Sequence, residues 1–263
     1  MEALGAKAAI GTMEDVDFLT ETFRGADAVY CMLAPFGDFA DPNNNASSVM
    51  ARANVIANNY VQAIEKSGVK RVVYLSSMGA DMKKDNGFIN IHYDGENALN
   101  SLPSDVNISF IRPGAFYKNL LGYVNAIKNQ DTIAANFGGD DLNILVSNID
   151  IADAIVDELE SKVAGRKVCY VASEELTCNE AAGILGAAIG KPHLKWVTIS
   201  DEEQLNGLKA YGMHDSLARN FVEMNASIHA GKLWGDYSRN KPALGKVKLK
   251  EFAKEFAAVY NQQ

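Results

Sequence analysis

The chain has 263 residues, with 25 Lys and Arg against 33 Asp and Glu; its formal net charge of −8, with no basic cluster to reverse it locally, excludes the electrostatic footprint of a nucleic-acid-binding protein. It is long enough to bury the core of one large domain, or of a domain with an appendage, while no apolar run is long enough to span a membrane and the first residues lack the basic-then-apolar pattern of a secretion signal. Three scattered cysteines (Cys31, Cys169, Cys178) and four histidines without metal-ligand spacing predict free thiols in a reducing compartment and no metal site, so the expectation is a soluble, cytoplasmic protein.

Ala6 to Ile10 reads as a short strand with no helix before it. Thr12 and the acids Glu14, Asp15 and Asp17 then open a helix carrying Val16, Leu19 and Phe23, closed by Gly25. Ala28 to Leu33 is a second strand, and a polar, Asn-rich loop follows from Asp38 to Ser48. Val49, Ala53, Ile56, Ala57, Tyr60, Val61 and Ile64 recur at helical spacing until Gly68 stops them. The next strand, in Lys70 to Ala80, has the apolar core Val72-Val73-Tyr74-Leu75, which suits a strand buried on both faces of a parallel sheet. Strand, long helix and strand make a right-handed βαβ crossover.

Tyr93 to Leu102 is predicted helical with Leu99 and Leu102 inward, Asn107 to Ile111 a strand, Tyr117 to Asn129 a helix, and 131 to 147 extended and irregular. Asp150 is expected to cap a helix from Ile151 to Leu159. Lys167 to Ala172 is the last strand placed in the sheet, and the remainder reads as helical. Capping boxes at Thr177-Cys178-Asn179-Glu180 and Ser200-Asp201-Glu202-Glu203 start two of its helices. Two more are expected, from Leu217 to Ala230 and from Val247 to Tyr260, with Leu249, Phe252, Phe256 and Val259 as the docking face of the last.

Small hydroxyl residues and a Gly (Ser76, Ser77, Met78, Gly79) end the Lys70 strand, and open parallel sheets bind ligands outside the carboxyl ends of their strands. The same residues also make an ordinary polar turn. In order and spacing, GADAVYCMLAP, SGVKRVVYLSSMGA, HYDGENAL, ISFIRPGAFYKNLL, NIDIADAI and ELTCNEAAGILGAAIGK resemble the NmrA-like proteins, a branch of the atypical short-chain dehydrogenase/reductases. The resemblance implies an α/β, Rossmann-like parallel sheet with helices on both faces, in residues 1–149 together with the strand 167–172, and a smaller, mainly helical substrate-side region in 150–263. It implies NADP or NAD as cofactor, a small-molecule substrate, and an oxidoreductase reducing a quinone or similar acceptor by hydride transfer. The alternative activity is a non-enzymatic NAD(P)-sensing regulator that binds a protein partner. A homodimer is also compatible with the family.

The departure is at the start. The family's Gly-rich turn of the G-x-x-G-x-x-G type is absent from the 263 residues. The first residues look like the family's third strand, which predicts an N-terminally truncated form of the fold with the natural polypeptide beginning upstream, or a degenerate form unable to bind dinucleotide. In the strand order 3-2-1-4-5-6 this would leave the Ala28 strand as an unpaired edge.

The resemblance assigns Leu33, Ala34, Pro35 and Phe36 to the adenine and ribose, and Ser76, Ser77 and Met78 with Pro113, Gly114, Ala115 and Phe116 to the nicotinamide side. Strand exits and turn caps explain the same residues structurally. Tyr93 is followed at the fourth position by Asn97, so the Tyr-x-x-x-Lys pair of short-chain dehydrogenases is missing. Tyr93 and Glu96 remain as catalytic candidates, with His92, four residues before Glu96 on one helix face, and Asn119 on the substrate side. Glu96 reads equally as a helix-surface carboxylate bonding a neighbouring loop, and Asn119 as a residue that ties down the loop after Phe116.

Overall fold

The computed structural model describes residues 2–33, 41 and 44–262, so Ala34, Pro35 and Phe36 lie outside the described residues. Helix α1 (Val16–Phe23) starts where the Asp15 carboxylate accepts from the amides of Asp17 and Phe18, and strand β1 (Val29–Met32) follows. Helix α2 (Ala46–Ser67) opens with a capping box between Asn45 and Ser48 and closes at Gly68, whose φ of 80° is left-handed. Its inner stripe of Val49, Ala53, Ile56, Ala57, Tyr60, Ala63 and Ile64 is buried, at about 1.5–3 kcal/mol for each large side chain. Strand β2 (Arg71–Leu75), helix α3 (Asn90–Asn100) and strand β3 (Asn107–Pro113) complete two crossovers.

Past Gly114 the chain resumes as the short strand β4 (Ala115–Phe116), a 3-10 segment Tyr117–Tyr123 and helix α4 (Val124–Gln130). Strands β5 (Thr132–Ala135) and β6 (Leu142–Val146), helix α5 (Asn148–Glu160) and strand β7 (Arg166–Val171) come next. Strand β8 (Glu174–Thr177), helix α6 (Cys178–Ala188) and strand β9 (Lys195–Thr198) precede helices α7 (Asp201–Ala210), α8 (Asp215–His229), α9 (Gly235–Arg239) and α10 (Leu249–Gln262).

The main sheet has the order β1-β2-β3-β7, every pair parallel. One face (Val29, Cys31, Val72, Tyr74, Ile108, Phe110) packs with α1, α2 and α3, and Leu99 and Leu102 face inward there as expected. The other face (Val73, Ile111, Val171) meets α5 through Ile151, Ala154, Ile155 and Leu159. A third core joins α4, α6 and α10 through Ile127, Ile144, Leu185, Trp196, Tyr237 and Phe256. The carboxyl end of α5 is fixed by a buried arginine: Arg71 donates to the Glu158 carbonyl from Nε and Nη2 at 2.9 and 2.6 Å and to the Val163 carbonyl at 3.0 Å. Last-turn carbonyls lack intrahelical partners, and a guanidinium both satisfies them and complements their negative end.

Three sequence expectations need correction. Residues 6–10 form no strand, and Ile10 is 91% exposed; a lone segment has no ladder to join, because β1 pairs only with β2 among the described residues. Asp150 does not cap α5. Ser147 does, its Oγ accepting from the Ile149 amide, while the Asp150 carboxylate receives the Ser173 hydroxyl at 2.5 Å and the amides of Lys246 and Val247. The region 131 to 147 and the helical remainder contain β5, β6, β8 and β9, four short strands paired in two small sheets, with β4 joining β6.

Helix α3 sits close on β2 because residue 95 is a glycine: a Cβ there would lie 2.2 Å from the Tyr74 hydroxyl oxygen. That hydroxyl is buried without a hydrogen-bond partner among the described residues. Gly95→Ala is therefore expected to destabilise the fold by about 1–3 kcal/mol, Tyr74→Phe to be near neutral, and the alanine to cost clearly less in the Tyr74→Phe background. Urea unfolding of the four variants checks this; an equal cost in both backgrounds means the contact is not the reason.

Candidate functional site at the carboxyl ends of the strands

The two strand-end loops singled out in the sequence are joined to each other. The Ser76 amide donates to the Ile111 carbonyl at 2.7 Å and the Met78 amide to the Pro113 carbonyl at 3.1 Å, so pairing continues beyond β2. The Gly114 amide bonds the Val171 carbonyl, and a Cβ on Gly114 would stand 2.4 Å from the Ile144 carbonyl oxygen. Only glycine lets β4 approach β6 there. Ser77, Ala115 and Phe116 stay half-buried, Ala115 against the core of α4, α6 and α10 and Phe116 against the core beneath α5, with the Ser77 hydroxyl donating to the Met78 carbonyl. Pro113, Met78 and Leu33 are buried, so they shape the site from behind.

Ser76 is buried, and its hydroxyl donates to Glu96 Oε1 at 2.5 Å. Glu96 is buried as well. Arg112 Nε meets Oε1 at 2.8 Å and Nη2 meets Oε2 at 2.6 Å, a bidentate pair. The remaining nitrogen of Arg112 faces the Tyr170 hydroxyl at 3.0 Å and Asp236 Oδ2 at 3.4 Å, and Tyr170 donates to Asp236 at 2.5 Å. Burial alone would lower the Arg112 pKa, but the Glu96 pair outweighs it and holds the guanidinium above its ordinary value. Burial, with the bond to Asp236, keeps the Tyr170 phenol protonated, while that bond holds Asp236 below the usual carboxylate range.

Of the α3 candidates, Tyr93 is half-buried and Glu96 is committed to Arg112 and Ser76. His92 packs edge-on against the Tyr74 ring, its Nδ1 sealed without a partner among the described residues. Asn119 stands exposed on the 3-10 segment. Sequence reading missed Arg112, Tyr170 and Asp236. A signal existed for the first: an arginine inside the apolar run ISFIRP has to meet an acid.

Two cavities stand out among the described residues. One of about 240 Å³, lined by Asp27, Lys70, Arg71, Asn107 and Lys162, opens at the amino ends of the strands, the wrong end for a ligand of an open parallel sheet. The other, about 220 Å³, adjoins Phe116 through Tyr117 and is lined by Ser147, Ile149, Val247 and Phe252. Tyr117 and Phe252 stack 5.6 Å apart in its floor.

Comparison with known proteins gives the family and the fold of the chain. The family described as NAD(P)H-binding matches residues 1–162. An NAD(P)H azoreductase of Xenophilus azovorans is 26% identical over 264 residues, covering 99% of this chain and 86% of that protein. Among solved structures, the NADPH-dependent quinone oxidoreductase QOR2 of Escherichia coli, complexed with NADPH, superposes at a TM-score of 0.77 with 21% identity, over 97% of this chain and 84% of that one. NmrA, a negative transcriptional regulator, has the same fold at a TM-score of 0.65 and 12% identity, over 96% of this chain and 81% of that one. The joined loops carry one partly accessible hydroxyl, Ser77, and one half-buried aromatic ring, Phe116, groups chemically suited to a carboxamide and a flat ring. No glycine-rich turn for the pyrophosphate occurs in the 263 residues.

Burial lowers the His92 pKa from 6.5 to about 4. The unfolded chain takes up that proton near pH 6.5 and the folded chain only near 4, so this group's effect is absent above the window and destabilises the fold as pH falls through it. Unfolding free energy is expected to drop by about 1–3 kcal/mol more between those limits in the wild type than in His92→Phe. Equal pH profiles in the two proteins would contradict the assignment.

Proposed function

Because this chain belongs to the NAD(P)H-binding family and takes NAD(P) as cofactor, we propose that it passes hydride to a small quinone- or azo-type acceptor. The observation that carries the reading is the pair of hydrogen-bonded strand-end loops, Ser76–Met78 and Pro113–Phe116, at the ligand edge of a parallel sheet. In this reading residues 1–149 with the strand 167–172 bind the dinucleotide and 150–263 form the substrate side. The cavity beside Tyr117 and Phe252 is a suitable place for a flat aromatic acceptor.

Bound NAD(P)H would supply the hydride, and a quinone accepting it takes the balancing proton from water, so no Tyr-Lys pair is required. The chain's own residues have three tasks. Phe116 and Ala115 pack the nicotinamide ring, and Ser77 offers lone pairs to its carboxamide, the hydroxyl proton being held by the Met78 carbonyl. Glu96, with both oxygens occupied, serves as support and not as the proton donor. Tyr93, half-buried on the same helix, is left as the side chain able to orient the acceptor. The second reading, a dinucleotide-sensing regulator, is favoured by one observation: Asn97 stands where the catalytic lysine of short-chain dehydrogenases would be.

Calorimetric titration of the 263-residue chain with NADPH and NADH, followed by nicotinamide oxidation with menadione or an azo dye, tests both readings. The expected outcome is a Kd of roughly 1–100 µM and acceptor-dependent oxidation, with Gly114→Ala weakening binding about tenfold because its Cβ forces β4 away from β6. Binding without turnover favours the sensor; no binding of either dinucleotide overturns the proposal.

A further inference from the structure

Glu96 occupies two nitrogens of Arg112, and the third, Nη1, is shared by groups from three separate segments: the Tyr170 hydroxyl of β7 at 3.0 Å, Asp236 of α9 at 3.4 Å and Asp81 of the loop after β2 at 3.8 Å. Two acids, one from the substrate-side region and one from the loop that begins at Ser76, thus reach a single donor. Asp236 is itself held in place, one oxygen by Tyr170 at 2.5 Å and the other by Arg239 at 3.0 Å. A guanidinium can do this because its donors lie in one rigid plane; an ammonium at the same place would be a point charge that meets the carboxylates one at a time.

We propose that Arg112 and Asp236 are positioning residues: they clamp α9 and the β2–α3 loop onto the strand ends, so that the Ser76–Met78 and Pro113–Phe116 loops keep one spacing relative to the substrate side. This rests on the reductase reading above. Neither side chain belongs to the joined loops, and Arg112 acts on them through Glu96 and Ser76. The clamp therefore governs how well donor and acceptor are aligned more than how tightly the dinucleotide binds. Misalignment of reacting atoms is costly in rate even where binding is unchanged.

The test uses the full chain with Asp236→Ala, and with Asp236→Asn as the variant that keeps an acceptor for Tyr170; Arg112→Lys is a harsher third. Amide hydrogen exchange in residues 77–82, where Asp81 meets Arg112, is expected to quicken at least about fivefold in Asp236→Ala and less in Asp236→Asn, with α2 and Leu233, which lies against Gly79, unchanged. NADPH affinity is expected to stay within about twofold while kcat with menadione falls about tenfold. Exchange that quickens in α9 alone, or a lowered melting temperature with kcat unchanged, overturns the clamp. If the wild type binds NADPH but reduces no acceptor, the reductase reading fails, and exchange at 77–82 still decides whether the clamp exists.

Discussion

A guanidinium cannot be buried alone, and much of the upper half of this protein is arranged around that constraint. Arg112 sits on the central strand of the main sheet, 6% exposed, between apolar neighbours. Stripped of water it requires acceptors in its own plane, and helix α3 supplies a carboxylate with both oxygens in reach. That requirement fixes the distance of α3 from the sheet, and Gly95 removes the Cβ that would have resisted it. Such a pair contributes little net stability compared with an apolar substitute of equal shape, yet removing one partner strands a charge. Its value lies in geometry: it permits one arrangement of α3, β3 and the Ser76 turn.

The opposite end of the sheet repeats the device for a different purpose. Arg71, also on a strand and also buried, spends its donors on the Glu158 carbonyl of α5, on the Val163 carbonyl just beyond it and on the Glu158 carboxylate, which in turn receives the Ser109 hydroxyl and Lys167. This arginine anchors a helix and leaves its donors saturated by the protein. The two ends thus differ in kind. At the amino ends the polar network closes on itself, while at the carboxyl ends it branches toward α9 and toward the joined loops after β2 and β3.

Most of the parallel sheet could be read from the sequence because its signals are local. Val72 to Leu75 is apolar on both faces, α2 carries a clean helical stripe, and Gly68 stops it in the only conformation that favours glycine. The sequence showed 131–147 as extended, where β5 and β6 lie, but not the pairing of β4, β5, β6, β8 and β9, for a physical reason: each has two to five residues and takes its place from a partner far along the chain, as when Thr132–Ala135 pairs with Lys195–Thr198. The strand expected at Ala6–Ile10 failed in the converse way, having suitable composition but no partner. In the site, Ser76 and Ser77 were recognisable as strand-end hydroxyls, but which of them stays accessible depends on the period-two alternation meeting Glu96 on one side. Asp236 gave no signal, since a surface-type acid on a five-residue helix becomes informative only when Arg112 is seen beneath it.

Among the described residues β1 pairs with β2 alone, and this carries a further consequence. Cohesion in the sheet is graded: β3 is hydrogen-bonded on both flanks, while β1 is held on one flank by four register pairs, with Tyr30 and Met32 turned toward solvent. The unit of α1 and β1 is bound to the rest chiefly through α2 and β2. Among the described residues, the strand ends that carry the joined loops therefore lie next to the most firmly held strand of the sheet.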